Sequence, residues 1–351
     1  MKKNLLLLTA LLVMSLSAHA QNNQKKFSVY AVGFYNLENL FDTCHDAGKN
    51  DYEYLPTSSS KWDDIKYTHK LRNMSKVLSE LGSDVLPKHV GCAVIGVSEV
   101  ENAKALTDLC NQPVLKERNI QFVHIEGPDH RGVDCALLYN PKLFTVRDVK
   151  LIPYVYELPE DSARATRGFL TVSGTLAGEH VTVIVNHWPS RFAGSFYREC
   201  AGRQVRVVKD SLLRDDPNVK VIIMGDMNDD PQSPSMAVSL GAKREISEVG
   251  EGDMYNPWWN VLAGGKGTLS YQGSWNLFDQ IVVSHNLLDK DGTKDYSTLK
   301  LFRYNIFTRP YLFQQEGKYK GGPLRTKAGG VWLDGYSDHL PTVIYLIKEQ
   351  Q

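Results

Sequence analysis

At 351 residues, with 42 % apolar side chains, the sequence has the length of one large domain or two modest ones and a globular, enzyme-like composition. Its 40 basic residues are matched by 40 acidic ones, which excludes a protein that grips nucleic acid through a strongly basic surface. Any binding of a polyanion must come from a local site, aided by a metal ion.

Lys2 and Lys3 open the chain, Leu5 to Leu16 is an almost unbroken apolar run, and Ala18-His19-Ala20 closes the segment. A short positive region, an apolar stretch too short to span a bilayer and a small-x-small ending together read as a cleaved secretory signal over 1–20. No Cys follows the cut, so no lipid anchor is expected there. The expectation is an exported protein, periplasmic or extracellular, with one catalytic domain over 21–351. Removing Lys2 and Lys3 from the 40 basic residues leaves 38 against 40 acidic ones. No later stretch reaches the ~20 apolar residues of a membrane span.

Further elements follow in order. Phe27–Tyr35 reads as a strand. Leu71, Met74, Val77, Leu78 and Leu81 recur at helical spacing over 64–81, with Gly82 as the stop. Cys92–Val97 is a buried strand, 101–111 a short helix, and Val133–Tyr139 a strand ended by Asn140-Pro141. Phe169–Leu176 and His180–Asn186 form a hairpin around Ala177-Gly178-Glu179. A helix over 196–214 precedes the buried strand Val219–Met224, and Ile281–Ser284 and Thr342–Ile347 supply two more strands. The segments 250–276 and 307–337 lack periodicity and are rich in Gly, Trp and Tyr, as ordered loops framing a site would be. Strands mixed with helices and hairpins predict a two-sheet sandwich with outer helices. Five cysteines (Cys44, Cys92, Cys110, Cys135, Cys200) form no CxxC pair, which argues against a zinc ribbon or a redox motif. Their odd number leaves at least one thiol free, and any pairing stays open.

The chemistry gathers where apolar strands run out. Asn36 closes Phe34-Tyr35-Asn36, and Glu99 ends Val94-Ile95-Gly96-Val97-Ser98-Glu99. His187 ends Val183-Ile184-Val185-Asn186-His187, and Asp226 and Asn228 follow Val221–Gly225. Asp279 opens a strand, and Ser337-Asp338-His339-Leu340-Pro341 precedes the last one. Taken singly, Asn36 caps a turn, Glu99 is solvated, Asp226 and Asn228 are turn formers, and the histidines are packing residues. The set of amides, acids and imidazoles at strand boundaries is what argues for catalysis. Oxygen donors without Cys suit a hard cation, Mg²⁺, Mn²⁺ or Ca²⁺. Asp226 can orient or deprotonate a water and Asn228 fix its position. An Asp279–His339 pair sets a tautomer or holds a charged imidazole, so the parts of an in-line attack on phosphorus are present.

These blocks resemble the endonuclease/exonuclease/phosphatase superfamily, from about Phe27 to Ile347 and in the family's order. Gly225-Asp226-Met227-Asn228 is similar to its GDxN block and Ser337–Pro341 to its terminal SDHxP block. Asn36-Leu37-Glu38-Asn39 resembles the first-strand Asn, and the run Asn36-Leu37-Glu38-Asn39-Leu40-Phe41-Asp42 resembles a subgroup of exported bacterial members described as nucleases or simply by superfamily. The resemblance implies a DNase I-like four-layer α/β sandwich with two central mixed sheets and outer helices. It implies Glu99 as principal metal ligand with Asn36 and Asp338 nearby, and Asp226 and Asn228 positioning the attacking water. His187 and the Asp279–His339 pair would bind and stabilise the phosphate, with the choice of general acid left open.

Arg191 and Arg203 fall where related sequences tend to carry Arg, and Arg131 precedes a strand. All three are read as phosphate contacts, whereas Arg198 reads as a solvated helix residue. Arg325 and Lys327 lie in the loop before the last block. Trp258, Trp259, Trp275, Tyr319 and Trp332 could stack bases but more often such residues pack a loop. The expected activity is metal-dependent phosphodiester hydrolysis on DNA or RNA. A phosphomonoesterase, a lipid or small-metabolite phosphodiesterase, and a non-catalytic binding protein are the alternatives.

Overall fold

The computed structural model describes residues 25–161 and 163–350. The leader read over 1–20 lies outside the described residues. Alternation of side chains builds β1 (Phe27–Leu40): Val32 and Phe34 face one core, Ala31 and Tyr35 another. Helix α1 (Asp64–Glu80) starts where Asp63 accepts a hydrogen bond from Lys66 N at 3.0 Å. It stops before Gly82, whose φ of +88° suits a residue without Cβ. Its Leu71, Met74, Val77 and Leu78 cluster with Ala31 and Tyr35 of β1.

β2 (Cys92–Val100) leads through α2 (Ala103–Cys110) and α3 (Pro113–Lys116) to the antiparallel pair β3 (Gln121–His124) and β4 (Asp134–Tyr139). β5 (Phe144–Ile152), β6 (Phe169–Leu176) and β7 (Glu179–His187) form a meander. Ala177 and Gly178, both left-handed, turn its second hairpin. Helix α4 (Ser195–Asp215) then returns the chain so that β8 (Lys220–Asp226) pairs parallel to β7. Short β9 (Ala242–Lys243), β10 (Met254–Tyr255) and α5 (Trp259–Ala263) follow, then the hairpin β11 (Leu269–Tyr271) and β12 (Ser274–Asn276). The chain ends through β13 (Asp279–Ser284), β14 (Lys300–Ile306), the hairpin β15 (Lys327–Ala328) and β16 (Val331–Trp332), and β17 (Thr342–Glu349).

Two mixed sheets result, ordered β14-β17-β1-β2-β4-β3 and β5-β6-β7-β8-β13-β10-β9. Val32, Phe34, Val94 and Leu137 of the first meet Val183, Val185, Met224 and Ile281 of the second in one buried cluster. α1 and α2 cover the outer face of the first sheet, while Cys200, Ala201 and Val205 of α4 cover Ile184, Val221 and Ile223 of the second. The order of layers is therefore helix, sheet, sheet, helix, the expected four-layer sandwich.

Each sheet has a parallel pair near its middle, β1 with β2 and β7 with β8. Each pair is flanked by an antiparallel strand, β17 or β13, that begins where its neighbour ends. The carboxyl ends of β1, β2, β7 and β8 and the starts of β13 and β17 thus gather at one edge of the sandwich. At that edge β7 and β8 approach closely: a Cβ on Gly225 would stand 2.3 Å from Asn186 O. Gly225→Ala should therefore destabilise the protein by roughly 2–3 kcal/mol in urea unfolding, because neither backbone can move without disturbing the pairing. Stability unchanged in that variant would show the approach to be looser.

Strands β3, β5 and β14 did not register in the sequence as strands. They lie at or beside sheet edges, where β5 and β14 leave most side chains at least partly exposed and the alternation is weak. The two segments read as loops hold β10, α5 and the hairpins β11–β12 and β15–β16. All five cysteines are unpaired, with Cys92, Cys135 and Cys200 buried and Cys44 exposed.

Candidate active site

Asp226, the last residue of β8, sits at the centre of the gathered edge and is buried. Its Oδ2 accepts a hydrogen bond from Asn36 Nδ2 at 3.0 Å, and its Oδ1 accepts from Asn228 N at 2.9 Å. Two imidazoles approach the same Oδ2, His187 Nε2 at 3.7 Å and His339 Nε2 at 3.8 Å. Strand register accounts for both neighbours, since His187 pairs with Asp226 across β7–β8 and Asp279 pairs with it across β8–β13. Asp279 Oδ2 in turn accepts from His339 Nδ1 at 2.7 Å. Ser337 holds the terminal block in place, donating to Asn36 O at 2.7 Å and accepting from His339 N at 3.1 Å.

The two imidazoles stand in opposite electrostatic surroundings. For His187, burial and the positive charges of Arg167 and Arg131 push the pKa well below the ordinary 6.5, leaving it neutral. For His339, burial also acts downward, but the carboxylates of Asp279 and Asp226 outweigh it and raise the pKa well above 6.5. Asp226 itself is raised, mainly by burial and further by Asp279, while His339 pulls it back.

Glu99 leaves β2 with φ +58°, and its Oε2 accepts from Asn39 N at 3.1 Å. Its Oε1 accepts no hydrogen bond and lies 3.7 Å from His187 Nε2. Glu38, Asn39 and Asn228 share this left-handed conformation, at φ +47°, +59° and +50°. Four such residues at one sheet edge store backbone strain of about 1 kcal/mol or more each, and strain of this kind concentrates at functional sites. Asp338 Oδ2 accepts from Arg325 Nη2 at 2.9 Å, and its Oδ1 lies 3.9 Å from His339 Nε2. Among the described residues, Glu99 Oε1 and Asp338 Oδ1 accept no hydrogen bond, no thiol lies beside them, and both carboxylates reach the surface. Such a donor set fits a hard divalent cation. Asn36, expected near the metal, is buried beside Asp226: its Nδ2 donates to that carboxylate and its Oδ1 accepts from Glu38 N at 2.8 Å.

The arginines sort differently from the expectation. Arg191 belongs to the site, donating to Asn228 O at 3.3 Å, Asn276 Oδ1 at 3.0 Å and Asp230 Oδ2 at 2.9 Å. Arg203 does not: on α4 it pairs with Glu157 Oε2 at 2.6 Å and lies over Phe196. Arg131 is half-exposed and hydrogen-bonds through its backbone to Asp129, with its charge felt at His187. Arg198, read as solvated, is buried and pairs with Asp229 Oδ2 at 2.8 Å. Replacing Arg191 by alanine should raise KM and lower kcat/KM about tenfold, whereas Arg203→Ala should leave both unchanged in steady-state hydrolysis assays. Equal effects of the two substitutions would sink this division.

Several residues of the site went unmarked in the sequence. Arg167 donates from Nη1 to Asp129 Oδ2 and from Nη2 to Trp188 O, both at 3.0 Å, beneath His187. Glu38 accepts from Arg325 Nε at 3.0 Å and from Thr326 N at 2.6 Å. Lys70, fully buried on α1, donates to Thr326 Oγ1 and Tyr336 O, and burial pushes its ammonium down to about 8 against the pull of Glu38 and Asp338. The helical spacing around Lys70 marks a core face, and no sequence signal reveals the charge carried on it. The loop aromatics mostly pack: Trp258 is buried and donates from Nε1 to Ile281 O, and Trp332 lies edge-on to Trp62.

A two-sheet sandwich that gathers an Asp, two His and carboxylates at one edge brings together the groups that hydrolysis of a phosphoester requires. The chain belongs to the endonuclease/exonuclease/phosphatase family, whose sequence model matches residues 31–348. Similar solved structures include an endonuclease/exonuclease/phosphatase family protein of Bacteroides thetaiotaomicron, with 15 % identity, a TM-score of 0.54 and coverage of 93 % of this chain and 97 % of that one. A mannosyl-6-phosphatase of the same organism gives 16 %, 0.53, 90 % and 99 %. TDP2 of D. rerio, complexed with a single-strand DNA product, gives 13 %, 0.51, 91 % and 99 %. None of the curated proteins searched matches the sequence.

Proposed function

We propose that this protein is a divalent-metal-dependent phosphodiesterase that cleaves nucleic acid by in-line attack of water, and that it acts outside the cytoplasm after loss of its leader. The convergence of His187 and His339 on one oxygen of Asp226 carries the reading. Asp226, held by Asn36 and Asn228, takes the proton of the attacking water. Neutral His187 and the Asn228 amide, whose Nδ2 also donates to Trp188 O at 3.0 Å, would bind the phosphoryl oxygens. Positively charged His339, steadied by Asp279, compensates negative charge as it develops. Glu99 and Asp338 hold the cation, which supplies Lewis-acid neutralisation at the phosphate when bound. The single-strand DNA product on one structurally similar protein supports a nucleic-acid substrate; the mannosyl-6-phosphatase shows that the fold also serves monoesters.

Hydrolysis of plasmid DNA, RNA, bis-p-nitrophenyl phosphate and p-nitrophenyl phosphate, with Mg²⁺ or Mn²⁺ against EDTA, tests this. EDTA-sensitive cleavage of polymer or diester is expected; turnover of the monoester alone would replace the reading with a phosphatase. Independently, millimolar Mn²⁺ or Mg²⁺ should raise Tm by about 3 °C or more over EDTA, because an ion held only by the folded chain stabilises it. An unmoved Tm would count against a preformed cation site.

A further inference from the structure

Phe192 is the most exposed large apolar side chain among the described residues, at 104 %, and it adjoins the site. It forms the middle of a single turn, Arg191–Ala193, anchored on both sides. Arg191 ties the front of the turn to Asn228 O and Asp230. Buried Arg198 clamps it from below, donating to Ser190 O at 2.9 Å and Gly194 O at 3.0 Å while pairing with Asp229. Gly194, at φ +86°, closes the turn. The turn that carries the ring is thus fixed by two guanidinium clamps, one residue from a guanidinium bonded to the Asn228 backbone. A lone exposed ring is ordinary on a protein surface; what points to a role here is its place on an anchored turn beside the proposed catalytic edge.

We propose that Phe192 is a nucleobase-stacking platform, taking the base next to the scissile phosphate of a single strand; this rests on the nucleic-acid phosphodiesterase reading above. A base has an apolar face of matching size, and single strands present that face free, whereas duplex bases are already stacked. The surroundings argue against a lipid surface. Phe196, four positions on and 38 % exposed, is covered in part by Arg203. Tyr197 gives its hydroxyl to Asp161, and Arg164 and Arg203 are paired with Asp161 and Glu157. One ring among balanced charges offers neither the apolar area nor the positive excess by which proteins insert into anionic membranes.

The test compares oligothymidylate with an abasic tetrahydrofuran oligomer of equal length. Phe192→Ala should lose roughly tenfold in kcat/KM on oligothymidylate, mostly through KM, and nothing on the abasic oligomer. Phe192→Trp should restore cleavage, and in EDTA oligothymidylate, but not the abasic strand, should quench its emission beyond that of the wild-type protein with its six tryptophans. Equal losses on both oligomers, no loss on either, or no added quenching in Phe192→Trp would overturn the proposal. Loss of sedimentation with phosphatidylcholine–phosphatidylglycerol vesicles in Phe192→Ala, with oligomer kinetics intact, would overturn it in favour of a lipid substrate. If the wild-type chain cleaves neither oligomer nor RNA, the nucleic-acid reading falls and stacking with it; cleavage of both oligomers without discrimination removes stacking alone.

Discussion

Asp226→Asn is expected to lower kcat by about 10³-fold on a small diester while leaving the fold intact, as the loss of a general base costs 10²–10⁴-fold and this residue also serves His339. The amide has one oxygen where the carboxylate has two, so it keeps the bond from either Asn36 Nδ2 or Asn228 N and turns its NH2 toward the other donor. What disappears is a buried charge that repels Asp279 and attracts His339. Burial already disfavours that charge, which offsets part of the lost hydrogen bond, so Tm should fall by no more than about 5 °C. Steady-state kinetics beside a thermal melt checks the prediction. Turnover within about tenfold of wild type would remove Asp226 from the chemistry, and a collapsed Tm would show the substitution to be structural.

Asp279→Asn is expected to act through its partner. His339 is held protonated by Asp279 and Asp226 against a burial effect that would neutralise it. Without the Asp279 charge the burial effect gains ground, the imidazole loses its proton at lower pH, and the alkaline limb of the rate profile moves down. At neutral pH the loss should be about 10²-fold, typical of one misplaced acid–base group. Stability should follow with the same sign. A histidine with a raised folded pKa contributes stability that is complete below its unfolded value of 6.5 and disappears as pH rises through the folded value. In Asp279→Asn that pH-dependent contribution shrinks, so Tm should fall less between pH 6.5 and the alkaline range than it does in wild type. An alkaline limb that stays put in the variant would show that the pair does not set the protonation of His339.

The carboxylate, amide and imidazole residues of the site were legible because strands end abruptly: an apolar run that stops on Glu99, His187 or Asp226 marks both the strand and the group it delivers. The α1 face was legible for the same reason of strict spacing. What stayed hidden depends on contacts across long sequence separations. Nothing local distinguishes Arg191 from Arg203, twelve positions on, yet one meets Asn228 and the other Glu157. Arg198 looks like a solvent-facing helix residue until Asp229 is brought over it. Asn36 was readable as a strand-end amide, but its bond to Asp226 follows from the meeting of the two sheets. Phe192 carries no periodic signal at all, since its exposure is set by the turn beneath it.

Asn36 and Glu99 lie on one sheet, His339 in the segment that leads into that sheet's last strand, and His187, Asp226 and Asp279 on the other sheet. The proposed active centre is therefore a seam, and it exists only while the two halves are docked in register. A slip of one residue along a strand, about 3.3 Å, is comparable to the whole separation between Asp226 and either imidazole. Turnover should accordingly vanish early in denaturant, while backbone circular dichroism still reports both sheets, which would make catalysis the most sensitive gauge of their alignment.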